Sequence, residues 1–260
     1  MLKSSKKPLL VAGGCSLTNA NFESRFHPDL NVSWPKWPAI FGIEHGYEVL
    51  NTAESGAGNK FIFHSVVNAV NENPDTELVL VLWSAWDRLQ IYRKRICPIS
   101  SVSSRKVREW GYYKDTVSHK VSKLILDSFF DIGFVLNDNI LYMWLLKDFL
   151  EKRNIKYIFA QGIDPLPNLK YFRNHEKFTP DYFDKKLYDA METFPDHIYF
   201  DDLDVPNVYG WPFFKALGGK QIWDQPGEDI QISRIDQHPN AEGQEMLFAA
   251  FSKFYKKIYA

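Results

Sequence analysis

From Leu78 to Trp83 the chain reads LVLVLW, six apolar residues without a polar break. A strand with one face in water alternates apolar and polar positions, whereas an unbroken run is the pattern of a strand covered on both faces. Sheets of that kind are parallel and carry their helices on the two sides. The rest of the chain repeats the theme. Pro8–Ala12, Tyr47–Asn51, Glu77–Trp83, Ile155–Gly162 and Asp196–Asp202 read as strands. Trp34–His45, Lys60–Glu72, Asn139–Lys152, Pro180–Thr193 and Ala241–Tyr259 read as amphipathic helices between and after them. With right-handed crossovers this order predicts an α/β fold, a three-layer α/β/α sandwich. Its flavodoxin-like parallel sheet has about five strands, the first flanked by the second and third. Residues 91–138 exceed what one crossover needs. They are read as an inserted loop and helical segment within a single domain spanning residues 1–260.

Composition removes several classes of function. The 260 residues are 45% hydrophobic and 24% charged, a folded chain rather than a disordered one. A formal net charge of -1 gives no basic footprint, so no nucleic-acid partner is expected. Cys15 and Cys97 are too few for a disulfide framework. The start, MLKSSKKPLLVAGG, has too short an apolar part for a signal peptide, and no run reaches the ~20 residues of a membrane span. The expected setting is the cytoplasm, or a particle assembled there, with no membrane partner. The turn after the first strand lacks a phosphate-cradling Gly/Ser/Thr loop, and no cofactor or metal is expected.

Polar residues gather where the predicted strands end, the edge at which open α/β sheets bind ligands. In GGCSLT, Ser16 either caps a following helix or is a nucleophile beside free backbone N–H groups. After the second strand, NTAESGAGNKF brings Gly56 and Gly58, which let backbone approach a ligand, and Asn59, an amide donor or a helix cap. After the third, LWSAWDRL brings Ser84, Trp86, Asp87 and Arg88 to the same edge. Before the last helix, RIDQHPNAEG sets Asp236 two residues from His238. A histidine is the usual general base near neutral pH and an acid can orient it. The alternative is that Asp236 or Asn240 caps the helix and His238 is surface.

Together, GGCSLT, SGAGN and DQHPNAEG resemble the blocks of the SGNH (GDSL-like) hydrolase superfamily, in the style of divergent members from bacteriophage and marine bacterial genomes. The resemblance covers nearly the whole chain. It implies that Ser16 is the nucleophile, His238 its base and Asp236 the orienting acid, with the N–H groups of Ser16 and Gly56 as an oxyanion hole. Two departures stand out. Trp86 occupies the place of the family's oxyanion asparagine, so Asn59 is expected to supply the missing amide. The acid and base are spaced Asp-x-His, one residue closer than the commoner form.

The implied activity is that of a serine esterase acting on a small acyl ester or an acetylated carbohydrate. Trp86, Asp87 and Arg88 would border the substrate cleft. Other aromatics, Trp34, Trp37, Trp83, Trp211, Phe213, Phe214 and Trp223, would line it as stacking surfaces. The alternatives are an O-acyltransferase and a non-catalytic binding or virion protein of the same fold. The insertion at 91–138 would then make virion or homo-oligomer contacts.

Overall fold

In the computed structural model, residues 7–86, 88, 132–166, 189–223 and 227–260 are described. Five strands form one sheet in the order β2-β1-β3-β4-β5, every neighbouring pair parallel. The strands are β1 (Leu9–Gly13), β2 (Glu48–Asn51), β3 (Thr76–Trp83), β4 (Lys156–Gln161) and β5 (Val208–Tyr209). Among the described residues the helices include α1 (Trp37–His45), α2 (Asn59–Glu72), α3 (Ile132–Glu151), the single turn α4 (Phe200–Leu203) and α5 (Ala241–Tyr259).

The apolar run that suggested a doubly covered strand lies in β3. Leu78 to Trp83 are all fully buried, with Val79 paired to Val11 on one side and Tyr157 on the other. The chain leaves β1 toward β2, then crosses back to β3 and continues outward. Right-handed crossovers therefore put α1 on one face and α2 and α3 on the other. Helix contacts follow that division: α1 packs on α5, and α2 packs on α3. The connections reverse direction between β1 and β3, and it is outside the carboxyl ends of strands at such a switch point that open α/β sheets bind ligands.

Several boundaries differ from the sequence reading. The fifth strand is not Asp196–Asp202. That stretch ends in α4, and the sheet is completed by Val208 and Tyr209 alone, paired to Phe159 and Ala160. Aromatic contacts at helical spacing explain the difference. Tyr199 stacks on Trp144 with centroids 4.2 Å apart, and Leu203, one turn later, is fully buried. The first helix starts at Trp37 with Pro38 in its first turn, so Pro35 lies outside it. The last residues of the expected insertion, 132–138, are the opening turns of α3. The remainder of the insertion, and the helix expected at 180–193 up to residue 188, lie outside the described residues; residues 189–193 are helical. Among the described residues no helix is long and apolar enough to cross a membrane.

Candidate active site

Ser16 sits in a hydrogen-bonded turn that follows β1 directly. The N–H groups of Thr18 and Asn19 donate to the Cys15 carbonyl at 2.9 and 3.0 Å. No helix starts there, so Ser16 is not a helix cap. The turn fits because Gly14 has no side chain: a Cβ there would lie 2.3 Å from Thr18 Oγ1 and 3.2 Å from the Leu82 carbonyl oxygen. Two helices hold the turn from behind. Gln244 of α5 donates to the Leu17 carbonyl at 3.3 Å and accepts the Trp37 N–H at 2.8 Å. The Trp37 indole N–H donates to Thr18 Oγ1 at 3.2 Å.

Asp236 and His238 come from a tight excursion before α5. Ile232 N–H donates to the His238 carbonyl, Ser233 N–H to the Asp236 carbonyl, and Gln231 bridges Pro239. Asn240 is the cap of α5, its side chain accepting the Gly243 N–H at 2.9 Å. Asp236 is therefore free of capping duty, and it turns inward instead.

The fold brings these three residues together. His238 Nε2 lies 2.8 Å from Ser16 Oγ, and His238 Nδ1 lies 2.5 Å from Asp236 Oδ1. With the ring proton on Nδ1 facing the carboxylate, Nε2 is the acceptor for the serine hydroxyl. Ser16 is 9% exposed and the Asp236 side chain 1%, while the His238 side chain keeps 32% of its surface open. Burial pushes the Asp236 carboxyl up, but hydrogen bonds from His238 and Ser24 outweigh it and hold the group below its ordinary value. Sequence reasoning missed Ser24, whose hydroxyl donates to Asp236 Oδ2, and Phe22, whose ring lies 4.5 Å from that of His238. Neither residue stands in a recognisable motif.

The glycine block reaches the same place. Thr52 N–H donates to the Ala12 carbonyl, Glu54 N–H to the Gly14 carbonyl, and Asn19 Nδ2 to Ser55 Oγ at 3.0 Å. Gly56 has φ +83°, closing a turn in which Ala57 N–H donates to the Glu54 carbonyl. That backbone angle favours glycine. Among the described residues no acceptor takes the N–H of Ser16 or of Gly56.

The third block departs from expectation. Asn59 does not point into the crevice. It is 2% exposed, its Nδ2 donates to the Ser84 carbonyl at 3.2 Å and to Asn139 Oδ1 at 2.7 Å, and its Oδ1 accepts the Ser84 N–H at 2.8 Å. Both amide protons are used, so Asn59 is corrected from an oxyanion donor to a tie between α2 and the end of β3. Trp86 is likewise not a cleft residue: it is 1% exposed, packs on Phe194, Phe213 and Phe214, and donates its indole N–H to Gln161 Oε1 at 3.0 Å. Arg88 donates to the Ala57 carbonyl at 3.2 Å, under the glycine block. Burial pushes the neighbouring Cys15 thiol up, yet the Arg88 charge and the Leu17 N–H pull it below its ordinary value. Asp87 lies outside the described residues. Of the other aromatics expected to line a cleft, Trp37, Trp83, Phe213, Phe214 and Trp223 are buried in the core, and Trp34 and Trp211 keep partial exposure.

No family model and no curated protein matches the chain. Among solved structures, the chain is similar to the psychrotrophic esterase EstA from Pseudoalteromonas sp., at 10% identity over 96% of this chain and 97% of that one, with a TM-score of 0.45. It is similar to a member of the lipolytic G-D-S-L family from Veillonella parvula, at 11% identity over 96% and 97%, with a TM-score of 0.40. It is also similar to a family 3 carbohydrate esterase from Clostridium thermocellum, at 12% identity over 97% and 97%, with a TM-score of 0.39.

Proposed function

We propose that the protein is a serine ester hydrolase in which Ser16, His238 and Asp236 act as nucleophile, base and orienting acid. The observation that carries this reading is the unbroken line of contacts from Ser16 Oγ to His238 Nε2 at 2.8 Å and from His238 Nδ1 to Asp236 Oδ1 at 2.5 Å. The first contact is within reach for direct proton transfer, and the second holds the ring in the orientation that transfer needs.

In the proposed reaction, Ser16 Oγ attacks the ester carbonyl as its proton passes to Nε2. Asp236 stabilises the imidazolium without taking the proton itself. The oxygen that gains charge meets the N–H groups of Ser16 and Gly56. His238 then protonates the departing alcohol, leaving Ser16 acylated. Water, activated by the same histidine, releases the acid; a second hydroxyl in its place would make the protein an acyltransferase. With Asn59 and Trp86 both engaged elsewhere, two backbone donors remain for the oxyanion. One missing donor typically costs about 10²–10³ in rate, so turnover is slow.

That shortage also favours a second reading, a binding protein that keeps the fold without fast chemistry. The substrate proposed is a small acyl ester. An acetylated carbohydrate is the narrower form, with Trp34 and Trp211 as the remaining stacking surfaces. Two measurements test the proposal: hydrolysis of p-nitrophenyl acetate and covalent labelling by a fluorophosphonate. Wild type should be labelled at Ser16 and hydrolyse the ester; Ser16→Ala should do neither. Equal rates for the two proteins would discard the hydrolase reading in favour of the binding protein. Release of acetate from an acetylated oligosaccharide decides the narrower substrate.

A further inference from the structure

The loop that leaves the Ser16 turn runs back along the segment bearing Asp236 and His238. Its residues alternate, Phe22 and Ser24 buried, Glu23 and Arg25 exposed. Phe22 covers a face of the His238 ring, the centroids 4.5 Å apart and the planes inclined by 35°. Ser24 Oγ donates to Asp236 Oδ2 and accepts the backbone N–H of His27 at 3.0 Å. His27 Nε2 meets Ser233 Oγ at 2.8 Å, and Ser233 Oγ accepts the Asp236 N–H at 3.0 Å. The two segments are thus joined at three successive points.

We infer that Ser24 is a positioning residue for the Asp236–His238 pair, and that the loop from Phe22 to His27 sets the direction in which the histidine faces Ser16. The inference rests on the hydrolase reading and deepens it. A carboxylate held at one oxygen alone can swing about its terminal torsion, which is broad. Asp236 Oδ1 receives both the ring and the backbone N–H of His238. Ser24 holds the other oxygen, so the plane of the carboxylate is fixed and Oδ1 stays in line with Nδ1. The Ser24 hydroxyl has little choice of direction. Its oxygen already accepts from His27, which leaves its proton for Asp236. Asp236 is 1% exposed, so solvent has no ready access to take over that contact. Phe22 closes a face of the imidazole and leaves its two nitrogens to Asp236 and Ser16. Oriented partners of this kind behind a working histidine typically contribute about 10–100-fold in activity at metal sites, and the same mechanical logic holds for a histidine base.

The test compares the full-length wild type with Ser24→Ala and Ser24→Thr, using Ser16→Ala as the inactive control. The readouts are kcat and KM for p-nitrophenyl acetate and the low-field proton resonance of the His238 Nδ1–H. Ser24→Ala is expected to lower kcat about 10-fold with KM nearly unchanged, and to move that resonance upfield. Ser24→Thr, which keeps the hydroxyl, is expected to restore both. Wild-type kcat and an unmoved resonance in Ser24→Ala would overturn the inference. So would equal losses in the alanine and threonine variants, because a fold-packing role does not distinguish a hydroxyl. If wild type is no faster than Ser16→Ala, the hydrolase reading fails by itself, and the resonance alone then decides whether Ser24 positions the pair.

Discussion

The carboxyl edge of the sheet carries two clusters of polar side chains with opposite fates. Beyond β1, Ser16 meets a histidine that is 32% exposed, and the N–H groups of Ser16 and Gly56 have no acceptor among the described residues. Beyond β3, Asn59, Asn139 and Gln161 use their amide groups on one another, on Trp86 and on the backbone of Val135, Ser84, Trp86 and Ile163. Both clusters lie toward the same edge of the sheet, though one is built on a serine and a histidine and the other on side-chain amides. What separates them is unused hydrogen-bonding capacity. A buried amide with every proton and lone pair engaged ties elements together. A hydroxyl paired to a half-exposed histidine, beside two amide N–H groups without an acceptor, can meet a substrate.

Predictions that break or sharpen this contrast fall in order of size. The largest concerns the open cluster. His238→Ala should lower kcat for p-nitrophenyl acetate by about 10³-fold or more, measured on the folded fraction. A variant that kept its rate would place the chemistry elsewhere. Next comes the closed cluster, where the effect should appear in stability instead. Asn59→Ala leaves the Ser84 N–H and Asn139 Oδ1 without a partner, while the Ser84 carbonyl keeps the Gln161 amide, at about 1–3 kcal/mol for each buried group left unsatisfied. Urea unfolding should register a loss of several kcal/mol, with kcat of the folded fraction within about three-fold of wild type. A hundred-fold fall in kcat at unchanged stability would move Asn59 back to the oxyanion hole. Trp86→Phe is milder. It frees Gln161 Oε1 and trims one ring from the core, for about 2 kcal/mol of stability and no change in rate.

The smallest effect is a dependence on pH. The folded Asp236 carboxyl titrates below its ordinary value, so it contributes stability above the unfolded pKa of about 3.9. That contribution is lost as pH falls through the folded value. The stability gap between wild type and Asp236→Asn, measured by urea unfolding, should therefore narrow as the solution is taken below about pH 4. A gap that widened on acidification would mean that the fold does not favour the charged form of Asp236.

The sequence by itself determined the scaffold and the motif-bearing loops. An uninterrupted LVLVLW cannot be buried except between two layers, and helical periods between such runs force parallel strands and crossovers. Those rules put the loops carrying Ser16, Gly56, and Asp236 with His238 at known places along the chain, because each follows or precedes an element with a strong local pattern. Only the tertiary structure decided how the polar groups were used. Whether Asn59 faces a crevice depends on Asn139 and Ser84, which approach it from α3 and the end of β3. Whether Trp86 lines a cleft depends on Phe194, Phe213 and Phe214, brought from the far end of the chain. The fifth strand is two residues long and exists because β4 offers it a partner, not because of any period of its own. Ser24 reaches Asp236 across 212 positions of sequence. Hydrogen-bond partners and burial are properties of distant segments meeting, and local pattern carries no record of which segments will meet.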